Sequence, residues 1–345
     1  MPYVQPLVSI CIPTYNAERT IRHTMASILN QTYHNLEILV VDNASSDNTM
    51  SLLEQINDSR LAIHMNERNI GAEANFSRCI ELASGEYIAI FHADDLYLPN
   101  MVEKQVQAFQ DNPSVAAVFT LANFINDRDE IIGEGILPPK LRGKRVYHFA
   151  EIFFGILENG NFLMCPSCMV RSKLYKELAP FDGERFGTSA DLDMWLRILE
   201  KAPIAVLDEK LMSYRISAKQ GSYQFRFLRT EEADFFKVMD YHSSVKSGVM
   251  AIPRSALSKY EFQRSLDKTM RAINHLNKGE SAEARRLLRE SVSTTAFRGA
   301  TRSIGRPRAV AFWLCGILLL GSGHLRTYLA KGLDWLMRRL ERRVI

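Results

Sequence analysis

Two adjacent carboxylates close an apolar run in this chain: Glu86-Tyr87-Ile88-Ala89-Ile90-Phe91 leads into His92-Ala93-Asp94-Asp95. A run of that length bounded by turn residues reads as a buried strand, and open α/β sheets bind their ligands beyond the carboxyl ends of strands. Paired acids there suit a hard cation, Mg²⁺ or Mn²⁺, which takes oxygen ligands from one or two carboxylates and from substrate phosphates. The implied partner is a phosphorylated small molecule. The plainer alternative is that an Asp ahead of Leu96-Tyr97-Leu98-Pro99 only starts the next helix.

The elements around this pair alternate. Val8 to Pro13 reads as a first strand, Ala17 to Asn30 as a helix with apolar residues at 21, 25, 28 and 29, and Glu37 to Asp42 as a second strand. Strands that are apolar throughout belong to parallel sheets covered on both faces. A helix through Leu52 and Leu53, a short strand near Leu61-Ala62-Ile63 and a helix over 72–83 precede the strand that ends at Asp94. Connections this short argue a doubly wound α/β sheet. A helix over 101–110 and a strand over 115–121 follow. Residues 122–165, with Gly133, Gly135, Pro138, Pro139, Gly143 and Gly160, read as loop-rich, and acceptor specificity is expected within 122–190. Order returns at Cys168-Met169-Val170, in a helix over 191–199, and in strands near 205–207 and 210–216.

The length of 345 residues and 46% hydrophobic content support a large core. Five cysteines in scattered positions give no disulfide framework; Cys165 and Cys168, without a second pair, read as packing residues. The N-terminus lacks a basic segment before a long apolar run, so the chain is expected to remain in the cytoplasm. Net charge is +4 overall, but residues 296–345 carry ten Arg and Lys against two acids, leaving the body negative. Residues 225–295 read as helical, with a hairpin over 272–292. Ala309 to Gly323 is uncharged and apolar but shorter than the roughly 20 residues needed to span a bilayer. Leu329, Leu333, Leu336, Met337, Leu340 and Val344 recur at helical spacing opposite basic residues, with Tyr328 and Trp335 as interfacial anchors. This tail is expected to attach peripherally to an anionic membrane surface.

Pro13-Thr14-Tyr15-Asn16, Asp42-Asn43-Ala44-Ser45-Ser46-Asp47, Asp94-Asp95 and Asp191 at a helix start all fall where strands end or helices begin. In order and spacing, over residues 7–217, they resemble family 2 glycosyltransferases of the GT-A fold, and Gly85-Glu86-Tyr87-Ile88 matches as well. The resemblance implies a GT-A mixed sheet over 1–222 and extends no further; the helical region over 223–305 and the basic, apolar tail over 306–345 are read from the residues alone. It implies an inverting transfer of sugar from a UDP- or dTDP-sugar to a hydroxyl of a glycan or lipid-linked saccharide, in surface polysaccharide or glycolipid assembly. Donor contacts fall to Pro13, Tyr15, Asp42, Asn43, Asn75, Asp94 and Arg215, and the metal to Asp94 and Asp95.

The departures are specific. Asn43 stands where the family has a second acid, His92 where its Asp-x-Asp motif begins, and Glu73 where a basic residue is common. The family's late His is absent from Tyr214-Arg215-Ile216-Ser217, so Arg215 is expected to meet phosphate instead. The catalytic base of the resemblance is Asp191. On a helix Asp193 points about 200° away, so only one of the two can face a cleft. The alternatives are a nucleotidyltransferase that makes nucleotide sugars, although Pro13 to Glu18 is no triphosphate loop, and an RNA-binding tail. Tyr328 and Trp335 fit an amphipathic helix better, so no nucleic acid is expected.

Overall fold

The computed structural model of the protein describes residues 5–217, 229–246, 248–303 and 307–318. The chain divides into two compact units, one of Met1–Phe149 with Phe162–Arg215 and one of Ala150–Asn161 with Ile216–Ile345.

The first unit is built on one ten-stranded sheet. Its strands are β1 (Val8–Thr14), β2 (Leu36–Asp42), β3 (Leu61–Met65), β4 (Tyr87–Ile90), β5 (Leu96–Tyr97), β6 (Ala117–Ile125), β7 (Ile131–Glu134), β8 (Val146–Tyr147), β9 (Cys168–Arg171) and β10 (Ile204–Arg215). The order is β3-β2-β1-β4-β9-β6-β10-β5, with β7 beside β6 and β8 beside β10. The β3-β2-β1-β4 half is parallel, β9 runs antiparallel to both β4 and β6, and β10 is parallel to β6. The sheet is therefore mixed, the GT-A architecture. β1, β2 and β4 are buried along nearly their whole length, which is why they read as unbroken apolar runs.

Helices α1 (Ile21–Leu29), α2 (Thr49–Leu53), α3 (Ala72–Leu82) and α4 (Met101–Asp111) complete the alternation. Each carries its buried residues at helical spacing, as Ile21, Thr24, Met25 and Ile28 do in α1. Gly85 allows the close approach ahead of β4: its N–H donates to Ser9 Oγ, and a Cβ there would lie 2.7 Å from Ser9 N.

Residues 122–165 hold more regular structure than their glycines suggest. β6 continues to Ile125, β7 folds back on it, and α5 (Phe149–Asn159) is a helix that buries Ile152, Phe153, Ile156 and Leu157. Gly133 lies inside β7 and Gly155 inside α5, so these glycines are not chain breaks. Then follow α6 (Ser172–Glu177), α7 (Gly183–Phe186) and α8 (Ala190–Lys201), the last burying Leu192, Trp195, Leu196 and Leu199.

The second unit is helical: it contains nearly all of α5, with further helices at Asp234–Lys246, Arg254–Asn277, Ser281–Glu290, Thr294–Arg302 and Pro307–Leu318. The hairpin expected over 272–292 is present, packed through Ala272, Ile273, Leu276, Ala284, Leu287 and Leu288. In the helix Pro307–Leu318, Trp313 is buried against Phe262, and its indole N–H donates to Ser291 O at 3.1 Å. No helix among the described residues is long and apolar enough to cross a membrane. The amphipathic stretch expected from Leu329 to Val344 lies outside the described residues.

Candidate active site

β1 and β2 end level, Thr14 opposite Asp42. The loops that follow are stitched together: the Asn16 N–H donates to Ser45 Oγ and Asn16 Oδ1 accepts from the Ser46 N–H, each at 2.9 Å. This holds Pro13 half-buried at the strand end and leaves the Tyr15 ring 51% exposed beside it.

Asp42, Asn43 and Asn75 are brought close to one another, but inside the loop rather than at its surface. Asp42 is fully buried, Oδ2 accepting the Ser45 N–H at 2.8 Å and Oδ1 the Ser45 hydroxyl at 2.5 Å. Asn43 donates to Asn69 Oδ1 at 2.9 Å and Gly71 O at 3.1 Å, and its Oδ1 accepts from Asn66 Nδ2 and the Ile70 N–H, each at 2.9 Å. A carboxylate could make only the accepting half of this set, which accounts for an amide at a position where the family carries an acid. Asn75 donates to Val41 O and accepts from Asn66, each at 2.9 Å. The amide network thus fixes the turn at Asn69-Ile70-Gly71, where Gly71 has φ 88°.

At the end of β4 the motif backbone is held from two sides. Thr20, just ahead of α1, and Thr24 within it donate to Ala93 O at 2.9 and 3.1 Å, and Thr24 also to Asp95 O at 2.8 Å. The Tyr97 hydroxyl accepts the His92 N–H at 2.6 Å while its ring stacks on Phe91 with centroids 3.8 Å apart. Asp95 is fully buried; Oδ1 accepts the main-chain N–H of Arg215 at 2.8 Å, and Oδ2 has no hydrogen-bond partner. Burial, and then the Asp94 charge, push the Asp95 carboxyl well above the usual carboxylate range. Burial pushes the neighbouring His92 imidazole down.

A cation fits here. Donor atoms of His92, Asp94 and Asp95 lie within 4.8 Å of one another, and an unpartnered buried carboxylate oxygen in such a set is satisfied by positive charge.

The Arg215 guanidinium is committed. Nε donates to Asp94 O and Nη1 to Asn126 O, both at 2.8 Å, and Nη2 pairs with Asp129 Oδ1 at 2.6 Å. It braces the acidic motif, whereas the missing late His had suggested a contact with phosphate.

Asp191 opens α8 as a half-buried residue, with Oδ1 accepting the Leu192 N–H at 2.7 Å. Burial, with a push from the Glu73 charge, lifts its carboxyl from 3.8 to about 6. Asp193 is buried and bound to Arg197 Nε at 2.7 Å, so α8 turns Asp193 into its own packing. The Cys165 thiol is pushed up by burial first and then by the Asp191 and Asp95 charges. Cys165 and Cys168 are free, buried thiols.

Glu73, in the first turn of α3, was legible only as a departure from the family wording. It approaches α7 closely: a Cβ on Gly183 would lie 2.8 Å from Glu73 Cγ.

The family model described as Glycosyl transferase family 2 matches residues 9–179. An uncharacterized glycosyltransferase of Methanocaldococcus jannaschii is 32% identical over 242 residues, 66% of this chain and 79% of that protein. The Escherichia coli enzyme WfgD, named as a UDP-Glc:alpha-D-GlcNAc-diphosphoundecaprenol beta-1,3-glucosyltransferase, is 37% identical over 135 residues, 39% of this chain and 53% of that protein. Among solved structures, S. aureus TarS 1-349 in complex with UDP superposes with a TM-score of 0.58 at 18% identity, covering 98% of this chain and 89% of that one. These likenesses agree with the mixed sheet, and the chain belongs to glycosyltransferase family 2, enzymes that transfer glycosyl groups.

Proposed function

We propose that the protein moves a sugar, with inversion, from a UDP- or dTDP-sugar to a hydroxyl of a glycan or lipid-linked saccharide, in surface polysaccharide or glycolipid assembly. The observation that carries this reading is the His92, Asp94 and Asp95 donor set at the end of β4, its ligand atoms within 4.8 Å of one another and one buried Asp95 oxygen without a hydrogen-bond partner, which suits a metal-bound diphosphate. Asp191, with its carboxyl lifted to about 6, suits proton transfer near neutrality.

In this reading the exposed Tyr15 ring packs the base or ribose, and Pro13 shapes the turn that brings it there. Asp42, Asn43 and Asn75 act through the loops they hold, and Arg215 by bracing the motif. Asp94 and Asp95 would hold Mg²⁺ or Mn²⁺, and the cation would neutralise charge on the donor diphosphate and on the departing nucleoside diphosphate. Asp191 takes the proton of the acceptor hydroxyl as its oxygen bonds to the anomeric carbon from the face opposite the diphosphate. The bond from that carbon to the phosphate oxygen breaks, and the electron pair leaves with the diphosphate.

The diphosphoundecaprenol-linked saccharide on which the Escherichia coli relative WfgD is named to act supports a lipid-linked acceptor. Such an acceptor fits an enzyme held to the inner face of the cytoplasmic membrane by its basic tail.

The test is a panel of UDP-, dTDP- and GDP-sugars offered with Mn²⁺ and a lipid-diphosphate-linked saccharide, followed by proton NMR of the product. The account expects nucleoside diphosphate release with one uracil or thymine donor, and a product anomer opposite to that of the donor. Retention of configuration, or activity only with GDP-sugars, contradicts it.

A further inference from the structure

The His92 imidazole is held by aromatic packing. Its ring stacks on Phe76 with centroids 5.8 Å apart and planes 28° apart; Phe76 meets Phe181 edge-on at 5.7 Å, and Phe181 meets the buried Trp195 edge-on at 6.4 Å. This column runs from α8 through α3 to the motif and fixes the ring where it leaves β4. No hydrogen bond engages the far side of the ring: Nε2 is buried without a partner. Nδ1 lies 3.8 Å from Asp95 Oδ2, which is also buried and without a hydrogen-bond partner.

Two ligands of one ion, each bonded at roughly 2.1 Å, lie up to about 4.2 Å apart, so this nitrogen and this oxygen already have the separation of a shared ion's ligands. An imidazole stacked on one face, with a second unpartnered nitrogen, has little other polar use for its buried edge.

We propose that His92 is a nitrogen ligand of the cation site and gives it a preference for a first-row transition ion, such as Mn²⁺ or Co²⁺, over Mg²⁺. The proposal rests on the assignment of Asp94 and Asp95 to the cation. Mg²⁺ favours an all-oxygen shell, whereas imidazole suits the transition ions, whose affinities rise from Mn²⁺ to Co²⁺. With His in place of the first acid of the motif, the site exchanges a hard donor for a softer one.

The test uses the full chain stripped with EDTA and titrated with CoCl₂ and with MgCl₂, with and without UDP, reading heat and the visible absorption of Co²⁺. The variants are His92→Asp, the near-isosteric His92→Gln and Asp95→Asn, each compared with wild type for its melting temperature in EDTA. Wild type should bind Co²⁺ at least about tenfold more tightly than Mg²⁺, and both His92 variants should lower that ratio by about 10–100-fold and change the Co²⁺ spectrum. Asp95→Asn should weaken both metals. If Asp95→Asn weakens both while the His92 variants keep the ratio and the spectrum, the cation site stands and His92 is only packed, which overturns the proposal. If neither Asp95→Asn nor the His92 variants affect either metal, the underlying assignment falls with it.

Discussion

The main-chain N–H of Arg215, the last residue of β10, donates to Oδ1 of Asp95 at 2.8 Å, and its Nε donates to Asp94 O at the same distance. Residues 120 positions apart in sequence are thereby locked together where carboxylates gather. Without that N–H, the buried Asp95 would lose the partner that offsets its desolvation.

Arg215→Lys keeps the charge and the backbone donor but loses the fork that reaches Asp94 O, Asn126 O and Asp129 together. Turnover should fall by about 10–100-fold, as when groups that orient ligating carboxylates are removed. Stability should drop by about 1–3 kcal/mol. Steady-state kinetics and urea unfolding check this, and unchanged turnover would show that the bracing has no bearing on the site.

Asn43→Asp replaces an amide that donates twice by a group that only accepts, against the buried oxygens of Asn69 and Gly71. A cost of about 1–3 kcal/mol in unfolding free energy is expected, with a raised KM for the donor as the Asn69-Ile70-Gly71 turn shifts. Equal urea midpoints for the variant and wild type would contradict the network.

Asp191 must be ionised to take a proton, and burial together with the Glu73 charge holds its carboxyl at about 6. kcat/KM should therefore fall about tenfold per pH unit below that value. Glu73→Gln removes a like charge and should move this acid limb to lower pH. The sign for stability runs the other way: the unfolded carboxyl ionises near 3.8, so folding is disfavoured progressively as pH rises from there through about 6. A pH profile with no limb near 6 would remove Asp191 from the proton path.

Trp313 closes the second unit's core against Phe262, so a tail deletion meant to test membrane attachment must start after it. Removal of residues 319–345 should abolish sedimentation with phosphatidylglycerol vesicles and leave the melting temperature unchanged. Retained sedimentation would take the membrane contact away from the tail.

The sequence displayed the parallel half of the sheet because β1, β2 and β4 are covered on both faces and so read as apolar runs, and it displayed Asp94, Asp95 and Asp191 because they stand at element ends. Asp42, Asn43 and Asn75 were visible as polar residues at the right places, but whether such a side chain turns to a ligand or into its own loop depends on partners distant in sequence, as Asn66 is from Asn43. The packing of Arg215 was hidden for the same reason. Its partners Asp94, Asn126 and Asp129 are set by the pairing of β10 with β6 and β5, which no local pattern encodes. α5 was hidden between Gly143 and Gly160 in a stretch read as loop-rich, although its apolar spacing is helical.

The central claim is that Asp191 is the base of an inverting transfer while Asp94 and Asp95 serve the donor. Its most direct test is Asp191→Asn, assayed side by side for donor binding by metal-dependent thermal stabilisation and for transfer by product formation. The account predicts donor binding within a few-fold of wild type and transfer reduced by about 10²–10⁴-fold. Transfer within tenfold of wild type, or loss of donor binding in step with loss of transfer, would contradict it.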